Sequence, residues 1–226
     1  MTPRAALAGA RAYVFDMDGT LVDNLAYHVQ AWHVFSRRQG HELTDEQIVG
    51  WTGAPDAVYM ERMLGRPVPP DELRRLEDEK ESLYRALYAP HLAPAPGLGA
   101  LLARARRAGV VCAVASGAPT ANVDFVLDGL GLRGAFAAVV DAAQYERGKP
   151  APDCFLLAAA RLGVAPADCV VFEDARAGVQ AAHAAGMRAV ALTTSSPRAA
   201  FEALGAECIV SSFTELLEGA DGDAAG

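Results

Sequence analysis

The chain has 226 residues, of which 52% are hydrophobic, and a formal net charge of −8 at pH 7. This length suits one α/β core with a smaller accessory domain, and the negative charge argues against nucleic acid or an anionic membrane as the main partner. No apolar run reaches the roughly 18–20 residues of a membrane span, and residues 1–10 lack the pattern of a signal peptide. The composition therefore predicts a cytoplasmic protein with no nucleic-acid or membrane partner.

The first predicted strand is short and is followed by a long helical stretch. Residues 12–16 form a continuous apolar run that ends in an aspartate, as is typical of strands covered on both faces. Between residues 24 and 92 the apolar residues recur instead at helical spacing, on three segments. The segments carry Val29, Trp32 and Phe35; then Val58, Met60, Met63 and Leu64; then Leu73, Leu76, Leu83 and Leu87. Prolines at 90, 94 and 96 predict a linker after the third segment.

Strand and helix patterns alternate from residue 97 onward. Apolar runs occupy residues 110–115, 136–140, 169–172 and 189–192, and helical patterns occupy 98–108, 123–130, 152–162 and 175–185. A glycine closes each helical pattern, as expected at helix ends. The alternation predicts an α/β fold with a doubly wound, Rossmann-like parallel sheet. The simplest architecture is a catalytic core of residues 1–22 and 96–226, with residues 23–95 inserted as an all-helical cap domain.

The four cysteines are Cys112, Cys154, Cys169 and Cys208, and they show neither CxxC spacing nor nearby histidine partners. All of them except Cys154 lie in apolar runs typical of strands. Buried, reduced thiols are therefore expected rather than a metal or redox site, in agreement with a reducing cytoplasm.

Polar residues follow four of the predicted strands, at the edge where open α/β sheets bind ligands. In chain order they are Asp16 and Asp18, Ser116 and Gly117, Lys149, and Glu173 and Asp174. Paired carboxylates can share nucleophilic attack, proton transfer and metal binding. Each group alone has a simpler interpretation, such as a loop-opening pair, a helix cap or a solvated lysine. Their joint appearance at one edge favours an active site.

Three stretches carry a resemblance to a known family: residues 16–23 (DMDGTLVD), 149–153 (KPAPD) and 172–178 (FEDARAG). Over essentially its whole length the chain resembles the haloacid dehalogenase-like (HAD) hydrolase superfamily. It is most similar to the branch with a helical cap after the first motif, which includes phosphoglycolate phosphatase and β-phosphoglucomutase.

The resemblance implies a role for each core residue. Asp16 would attack the phosphorus and form an aspartyl-phosphate. Asp18 would protonate the leaving oxygen and then activate the hydrolytic water. Ser116 and Gly117 would bind the transferring phosphoryl group, and Lys149 would pair with both that group and Asp16.

The resemblance also implies Mg²⁺ as the cofactor. Its ligands would be Asp16, the backbone carbonyl of Asp18, Asp174, and Glu173 either directly or through water. Elementary electrostatics agrees, because an anionic nucleophile is repelled by an anionic phosphate. A hard divalent cation and the ammonium of Lys149 would offset that repulsion.

The cap is expected to decide between phosphatase and mutase chemistry. Tyr27-His28 and Ala31-Trp32 look like the first cap helix of β-phosphoglucomutase. That enzyme holds the second phosphate of its acceptor with a cap arginine and with basic residues after the motif serine. Here Asp56 lies near the arginine position and residues 117–120 contain no lysine. Because ionic hydrogen bonds to phosphate are strong, we favour a phosphatase acting on a small sugar or polyol phosphate. A β-phosphoglucomutase-like sugar phosphomutase is the alternative, and a non-catalytic phosphate-binding regulatory protein is a remote one.

Four cap residues are candidates for contact with the substrate, namely His28, Thr52, Arg62 and Lys80. A packing role is the competing interpretation for His28, and a solvated helix face is the competing one for Arg62 and Lys80. The charged neighbours of Lys80 give no sign of the desolvation that would activate it for Schiff-base chemistry on phosphonates. The expected partner is a small phosphorylated metabolite, and the expected state is a monomer or weak homodimer.

Overall fold

The computed structural model of the protein describes residues 2–50 and 56–221. The chain divides into two compact units, one made of Met1–Asp23 with Ala93–Gly226 and the other of Asn24–Leu92. We call them the core unit and the helical unit. None of the helices in the described ranges combines the length and the apolar character that a bilayer crossing requires.

The core unit contains a parallel sheet that confirms the predicted doubly wound α/β class. Its strands are β1 Ala12–Phe15, β2 Val111–Ala115, β3 Ala138–Val140, β4 Cys169–Glu173, β5 Arg188–Leu192 and β6 Cys208–Val210. Within the described residues their spatial order is β3-β2-β1-β4-β5-β6, and every neighbouring pair is parallel. The order reverses between β1 and β4, which is the switch point where open α/β sheets bind ligands.

Helices cover both faces of the sheet and form most of the described part of the helical unit. They are α1 Pro3–Leu7, α2 Leu25–Arg38, α3 Asp45–Gly50, α4 Asp56–Leu64, α5 Pro70–Tyr88, α6 Leu98–Arg107, α7 Thr120–Gly129, α8 Asp153–Leu162, α9 Arg176–Ala184, α10 Arg198–Glu202 and α11 Phe213–Asp221. Seven of them lie where helical patterns were predicted. The remaining four helices, α1, α3, α10 and α11, were not predicted. The first three of these have only five or six residues, too few to display apolar periodicity, whereas α11 is as long as the predicted α4 and α9.

The two faces of the sheet are packed differently, because successive side chains of a strand point to opposite faces. On one face Phe15 stacks on Phe172 with ring centroids 4.6 Å apart, and Phe213 packs edge-on against both. The other face carries small residues, among them Val14, and these form one cluster with α8 and α9. β1 is thus fully buried, and it delivers the residue after it to a fixed position.

The helical unit has its own core, which α2, α3, α4 and α5 share. Trp32 stacks on Tyr59 at 4.7 Å, and Phe35, Met60 and Leu76 complete the centre of the cluster. Asn24 occupies the N-cap position of α2 but makes no capping hydrogen bond with its side chain. Its amide instead donates to the hydroxyl of Tyr84 at 2.5 Å. Asn24 therefore joins the start of α2 to α5.

The cysteines are buried and unbridged, as predicted. Burial raises the pKa of the Cys112 thiol to about 12 and that of Cys169 to about 11. Because only the thiolate is a good nucleophile or metal ligand, these residues act as small apolar side chains.

Candidate active site at the carboxyl edge of the sheet

Asp16 follows β1 directly and sits at the switch point. Its backbone N–H donates to the Phe172 carbonyl at 3.0 Å, and the residue is only 7% exposed. The chain then turns at Gly19, whose φ is +74°. A Cβ at this glycine would lie 2.0 Å from Asp174 Oδ2. The loop after β1 therefore packs so closely on the end of β4 that only glycine fits.

Lys149 is brought against Asp16 from the loop that follows β3. Its Nζ donates to Asp16 Oδ1 at 2.5 Å, to Glu173 Oε1 at 2.7 Å and to the Ala115 carbonyl at 3.2 Å. These contacts use all three donors of an ammonium, and the side chain is 13% exposed. Burial acts to lower the pKa of Lys149, but the charges of Asp16 and Glu173 raise it well above its ordinary value. The interpretation of Lys149 as a solvated loop residue is wrong.

Glu173 is the last residue of β4, and its two carboxylate oxygens accept hydrogen bonds from different groups. One carboxylate oxygen accepts from Lys149, and the other accepts from the backbone N–H groups of Asp174 and Ala175, both at 2.9 Å. A Cβ at Gly178 would lie 1.8 Å from this carboxylate. Glu173 is therefore fixed by the first turn of α9, and it fixes Lys149 in turn.

Asp174 completes the acidic side of the site. It is 4% exposed, and its Oδ1 lies 3.4 Å from the hydroxyl of Thr20. Burial, followed by the charge of Glu173, raises the pKa of Asp174 to about 7. The residue is thus held in an environment that disfavours its charged form unless a cation is near.

The carboxylates of Asp16, Glu173 and Asp174 form a buried cluster in which one oxygen of each lies within 4.8 Å of the others. Burial first, and then Glu173, Asp174 and Asp18, raise the pKa of Asp16 well above its ordinary range, while Lys149 opposes them. Four carboxylates thus face one ammonium. A small divalent cation with oxygen ligands suits this donor set and this excess of negative charge. Asp18 itself is half-buried beside the cluster.

Ser116 follows β2, and the pairing of Phe15 with Val114 brings it to the same edge as Asp16. Its N–H donates to the Val140 carbonyl at 2.9 Å, and its hydroxyl accepts from the Ala118 N–H at 3.0 Å. The next helix begins later and has no side-chain cap. Ser116 therefore closes its own loop and is not the helix cap of the competing interpretation. Because the hydroxyl is an acceptor here, its proton stays free to be donated.

Three hydroxyl side chains beside the site, which the sequence did not point to, donate to backbone carbonyls of its loops. Tyr145 donates its hydroxyl to the Ser116 carbonyl at 3.1 Å. Thr194 donates to the Gly19 carbonyl at 2.5 Å, and Ser195 donates to the Asp174 carbonyl at 2.6 Å. A run of hydroxyl residues at the end of β5 is visible in the sequence, so a fifth strand end could have been included. The tyrosine has no such signal, because its partner is set by loop geometry.

The candidate substrate-contact residues of the helical unit lie in different environments. His28 lies on α2 and stacks on Tyr84 with ring centroids 3.8 Å apart, so packing is at least part of its role. Arg62 is exposed on α4. Thr52 lies outside the described residues.

Lys80 is buried, which corrects the expectation of a solvated helix face. Only 3% of the residue is exposed, and its ammonium lies 2.6 Å from Glu81 Oε1 and 4.9 Å from the centre of the Trp32 ring. The expectation that Lys80 shows no desolvation is therefore wrong. The adjacent carboxylate balances the charge, so burial does not make Lys80 a neutral amine nucleophile.

Comparisons with known proteins agree with this geometry. A model of the haloacid dehalogenase-like hydrolases matches residues 10–186. Fructose-1-phosphate phosphatase YqaB of Escherichia coli is 36% identical over 177 residues, covering 78% of this chain and 93% of that protein. The β-phosphoglucomutase of Bacillus subtilis is 33% identical over 224 residues, covering 91% of each. The crystal structure of CbbY from Rhodobacter sphaeroides in complex with xylulose-(1,5)bisphosphate matches with a TM-score of 0.82 at 28% identity, covering 94% of this chain and 99% of that one. The chain with this acidic, lysine-bridged site belongs to the haloacid dehalogenase-like hydrolase family.

Proposed function

We propose that the protein is a magnesium-dependent phosphatase that hydrolyses a small sugar or polyol phosphate through an aspartyl-phosphate intermediate. The contact between Asp16 and Lys149 at 2.5 Å, with Glu173 and Asp174 beside it, is the observation that supports this most strongly. Lys149, together with a divalent cation when one is bound, would keep Asp16 ionised despite its burial. Such a carboxylate at the switch point is a nucleophile with charge stabilisation already in place.

In the first step an oxygen of Asp16 attacks the phosphorus and the ester P–O bond breaks. The leaving oxygen takes a proton from Asp18, so the alcohol departs neutral. Lys149 and the donors of Ser116 and Gly117 stabilise the negative charge that spreads over the equatorial phosphoryl oxygens.

In the second step a water oxygen attacks the phosphorus of the aspartyl-phosphate. Asp18, now ionised, accepts a proton from that water. The bond between phosphorus and Asp16 breaks, inorganic phosphate is released and the carboxylate is restored.

The residues that would hold Mg²⁺ are Asp16, Asp174 and the backbone carbonyl of Asp18, with Glu173 acting through water. We assign Glu173 the indirect role because both of its oxygens already accept hydrogen bonds. When bound, the cation would neutralise charge on the phosphoryl oxygens and on the carboxylates that surround them.

Hydrolysis rather than mutase chemistry is favoured by the loop after β2. Residues 117–120 offer no cation to a second phosphate, and ionic hydrogen bonds are what such a group requires. The relatives named above include both a fructose-1-phosphate phosphatase and a β-phosphoglucomutase. Both names support a sugar phosphate as substrate, and the second keeps a sugar phosphomutase as the alternative.

We further propose that residues 23–95 act as a cap domain that selects the substrate, with His28, Thr52 and Arg62 as its contact residues. Lys80, buried against Glu81 and Trp32, would contact a substrate only after leaving these partners. The polar and aromatic character of the segment around His28 and Lys80 supports this assignment. Sugar and polyol hydroxyls are recognised by such mixed surfaces.

A phosphate-release screen tests the proposal. It covers sugar phosphates, polyol phosphates, phosphoglycolate, nucleotides and p-nitrophenyl phosphate, with Mg²⁺ and then with EDTA. We expect release from one or more sugar or polyol phosphates, and a loss of at least about 100-fold with EDTA. β-Glucose 1-phosphate is included with a trace of the 1,6-bisphosphate. Glucose 6-phosphate forming faster than free phosphate would favour the mutase, and no release from any ester would favour a non-catalytic phosphate-binding protein.

A further inference from the structure

We propose that Tyr145 is a positioning residue of the phosphoryl-binding loop. Its hydroxyl holds the Ser116 carbonyl and thereby orients the Gly117 N–H toward the transferring phosphoryl group. This inference rests on the proposed function, because it concerns the group that the enzyme transfers.

Two side chains from the segment between β3 and α8 donate hydrogen bonds to consecutive backbone carbonyls at the end of β2. Lys149 Nζ donates to the Ala115 carbonyl at 3.2 Å, and Tyr145 Oη donates to the Ser116 carbonyl at 3.1 Å. Lys149 also contacts Asp16. The same segment therefore sets the position of the nucleophile's partner and of the adjacent loop.

The geometry of a peptide unit makes the tyrosine contact directional. The carbonyl of one residue and the N–H of the next lie in one rigid plane and point in opposite directions. Holding the Ser116 carbonyl toward Tyr145 therefore fixes the Gly117 N–H on the far side. The phenol oxygen would lie 3.7 Å from a Cβ on Gly117, so it packs directly against this peptide unit.

The other polar groups of the loop are already engaged. The Ser116 N–H donates to Val140, and the Ala118 N–H donates to the Ser116 hydroxyl. Within the described residues the Gly117 N–H has no hydrogen-bond partner. The Gly117 N–H and the Ser116 hydroxyl proton are thus the donors that the loop retains for an anion. A hydrogen bond accepted by the Ser116 carbonyl also polarises the peptide unit and strengthens its N–H as a donor.

Tyr145 is well suited to act as a permanent donor. Its ring packs against the core cluster beside α8. Burial raises the pKa of the phenol to about 12; Cys154 adds a smaller rise, and the charge of Lys149 opposes both. The hydroxyl therefore keeps its proton throughout the neutral range and does not itself need to touch the substrate.

A role in orienting the phosphoryl pocket has a distinctive kinetic signature. The phosphoryl group is common to every ester, whereas the leaving alcohol differs. Loss of the tyrosine hydroxyl should therefore reduce kcat/KM by the same factor for all esters. It should also weaken binding of orthovanadate, which occupies the phosphoryl position with no alcohol present.

Tyr145→Phe removes the hydroxyl and keeps the ring. We expect kcat/KM to fall about five- to tenfold for each of three unrelated esters, as for loss of one well-placed hydrogen bond. The dissociation constant of orthovanadate, measured by titration calorimetry with Mg²⁺, should rise by a similar factor. Tyr59→Phe is the matched control, since Tyr59 also donates its hydroxyl to a backbone carbonyl, that of Ile48, at 3.2 Å. Both quantities should stay within twofold of the wild-type values in this control, and all measurements are made well below every unfolding midpoint.

Two results would overturn the inference: wild-type kinetics with wild-type vanadate affinity in Tyr145→Phe, or a loss that varies from ester to ester while vanadate affinity is unchanged. An equal loss in Tyr59→Phe would overturn it as well. A wild-type protein that releases no phosphate from any ester would refute the proposed function instead. The vanadate affinities of the two variants would still decide the role of Tyr145.

Discussion

At the scale of single residues, the site depends on two close approaches that only glycine allows. Gly19 turns with a positive φ against Asp174, and Gly178 in the first turn of α9 leaves room for the Glu173 carboxylate. The sequence predicts the first glycine as a turn residue. It does not predict the need for Gly178, because the contact with Glu173 depends on the path of the chain from β4 into α9.

Gly178→Ala should disable the site while the fold survives. The new Cβ would overlap the Glu173 carboxylate at 1.8 Å. Glu173 must then move, and Lys149 loses the oxygen that holds it beside Asp16. We expect phosphate release to fall at least about 100-fold, the scale for losing one preorganised electrostatic group.

The control for this variant is Gly99→Ala, because Gly99 lies in α6 with open space around its Cβ position. Alanine is favoured over glycine by about 0.5–1 kcal/mol in a helix interior, and by less in the first turn, where Gly99 lies. Gly99→Ala should therefore keep full activity and slightly raise the unfolding temperature. Equal activity in the two variants would show that the tight contact at Glu173 is not needed.

At the scale of elements, capping residues at a helix N-terminus can predict a helix that is too short to show apolar periodicity. The short helix α3 is opened by a reciprocal pair, in which Thr44 N–H donates to Gln47 Oε1 and Gln47 N–H donates to Thr44 Oγ1. This capping box is readable as T-x-x-Q, so α3 was predictable from its start signal although its periodicity is too short. At the start of α11 the Glu215 N–H donates to Ser212 Oγ at 3.3 Å, and the Glu215 carboxylate accepts from the Ser211 N–H. The pattern S-x-x-E therefore marks this helix in the same way.

Glu215 should make the stability of the core unit depend on pH. Its carboxylate accepts from the backbone N–H and the hydroxyl of Ser211, at 2.7 and 2.8 Å, and these bonds lower the pKa of Glu215. A carboxyl whose folded-state pKa lies below its unfolded value stabilises the fold above the unfolded value. That contribution disappears as the pH falls through the folded-state value.

Glu215→Gln should therefore lower the thermal unfolding midpoint at pH 7, and the difference from wild type should shrink steadily as the pH falls below the ordinary pKa of glutamate. Because the side chain is exposed, screening keeps the effect below about 1 kcal/mol. Glu218→Gln, an exposed change on the same helix, controls for loss of charge. A difference between the two variants that persists unchanged down to pH 3 would contradict this account.

At the scale of the whole molecule, the parallel sheet of the core unit has two short edges, and an arginine covers each. Arg161 from the last turn of α8 donates to the Val139 carbonyl of β3 at 2.6 Å. Arg198, the first residue of α10, donates to the Ile209 carbonyl of β6 at 2.9 Å. Edge strands with unpaired carbonyls are templates for association with another chain. The two guanidinium groups occupy the middle acceptor of each three-residue edge strand.

Removing both arginines should open the edges. We expect the double variant Arg161→Ala, Arg198→Ala to self-associate at lower concentration than the wild type, as measured by light scattering after size exclusion. Arg107→Ala, an exposed change on α6, removes charge without touching an edge. The same association curve for the double variant and for Arg107→Ala would refute the role of the two arginines.

The sequence predicts much of the architecture because both periodicities are strong in the core. Continuous apolar runs predict β1 to β5, and the shared strand-end position predicts that Asp16, Lys149 and Asp174 lie together. The burial of Lys80 was not predictable, since a charged residue among charged neighbours has the pattern of a solvated face. Its position against Trp32 depends on the packing of α5 on α2, which periodicity alone does not fix.

The most direct test of the central claim is the rate of phosphate release by Asp16→Asn, compared with wild type on the best ester of the screen with Mg²⁺ present. Asparagine keeps the shape of the side chain and can still accept a hydrogen bond from Lys149, but it is not a nucleophile. The account predicts a loss of at least about 10⁴-fold, the scale for removing the nucleophile of an enzyme that works through a covalent intermediate. Release at the wild-type rate by Asp16→Asn would show that the reaction does not pass through an aspartyl-phosphate at this position.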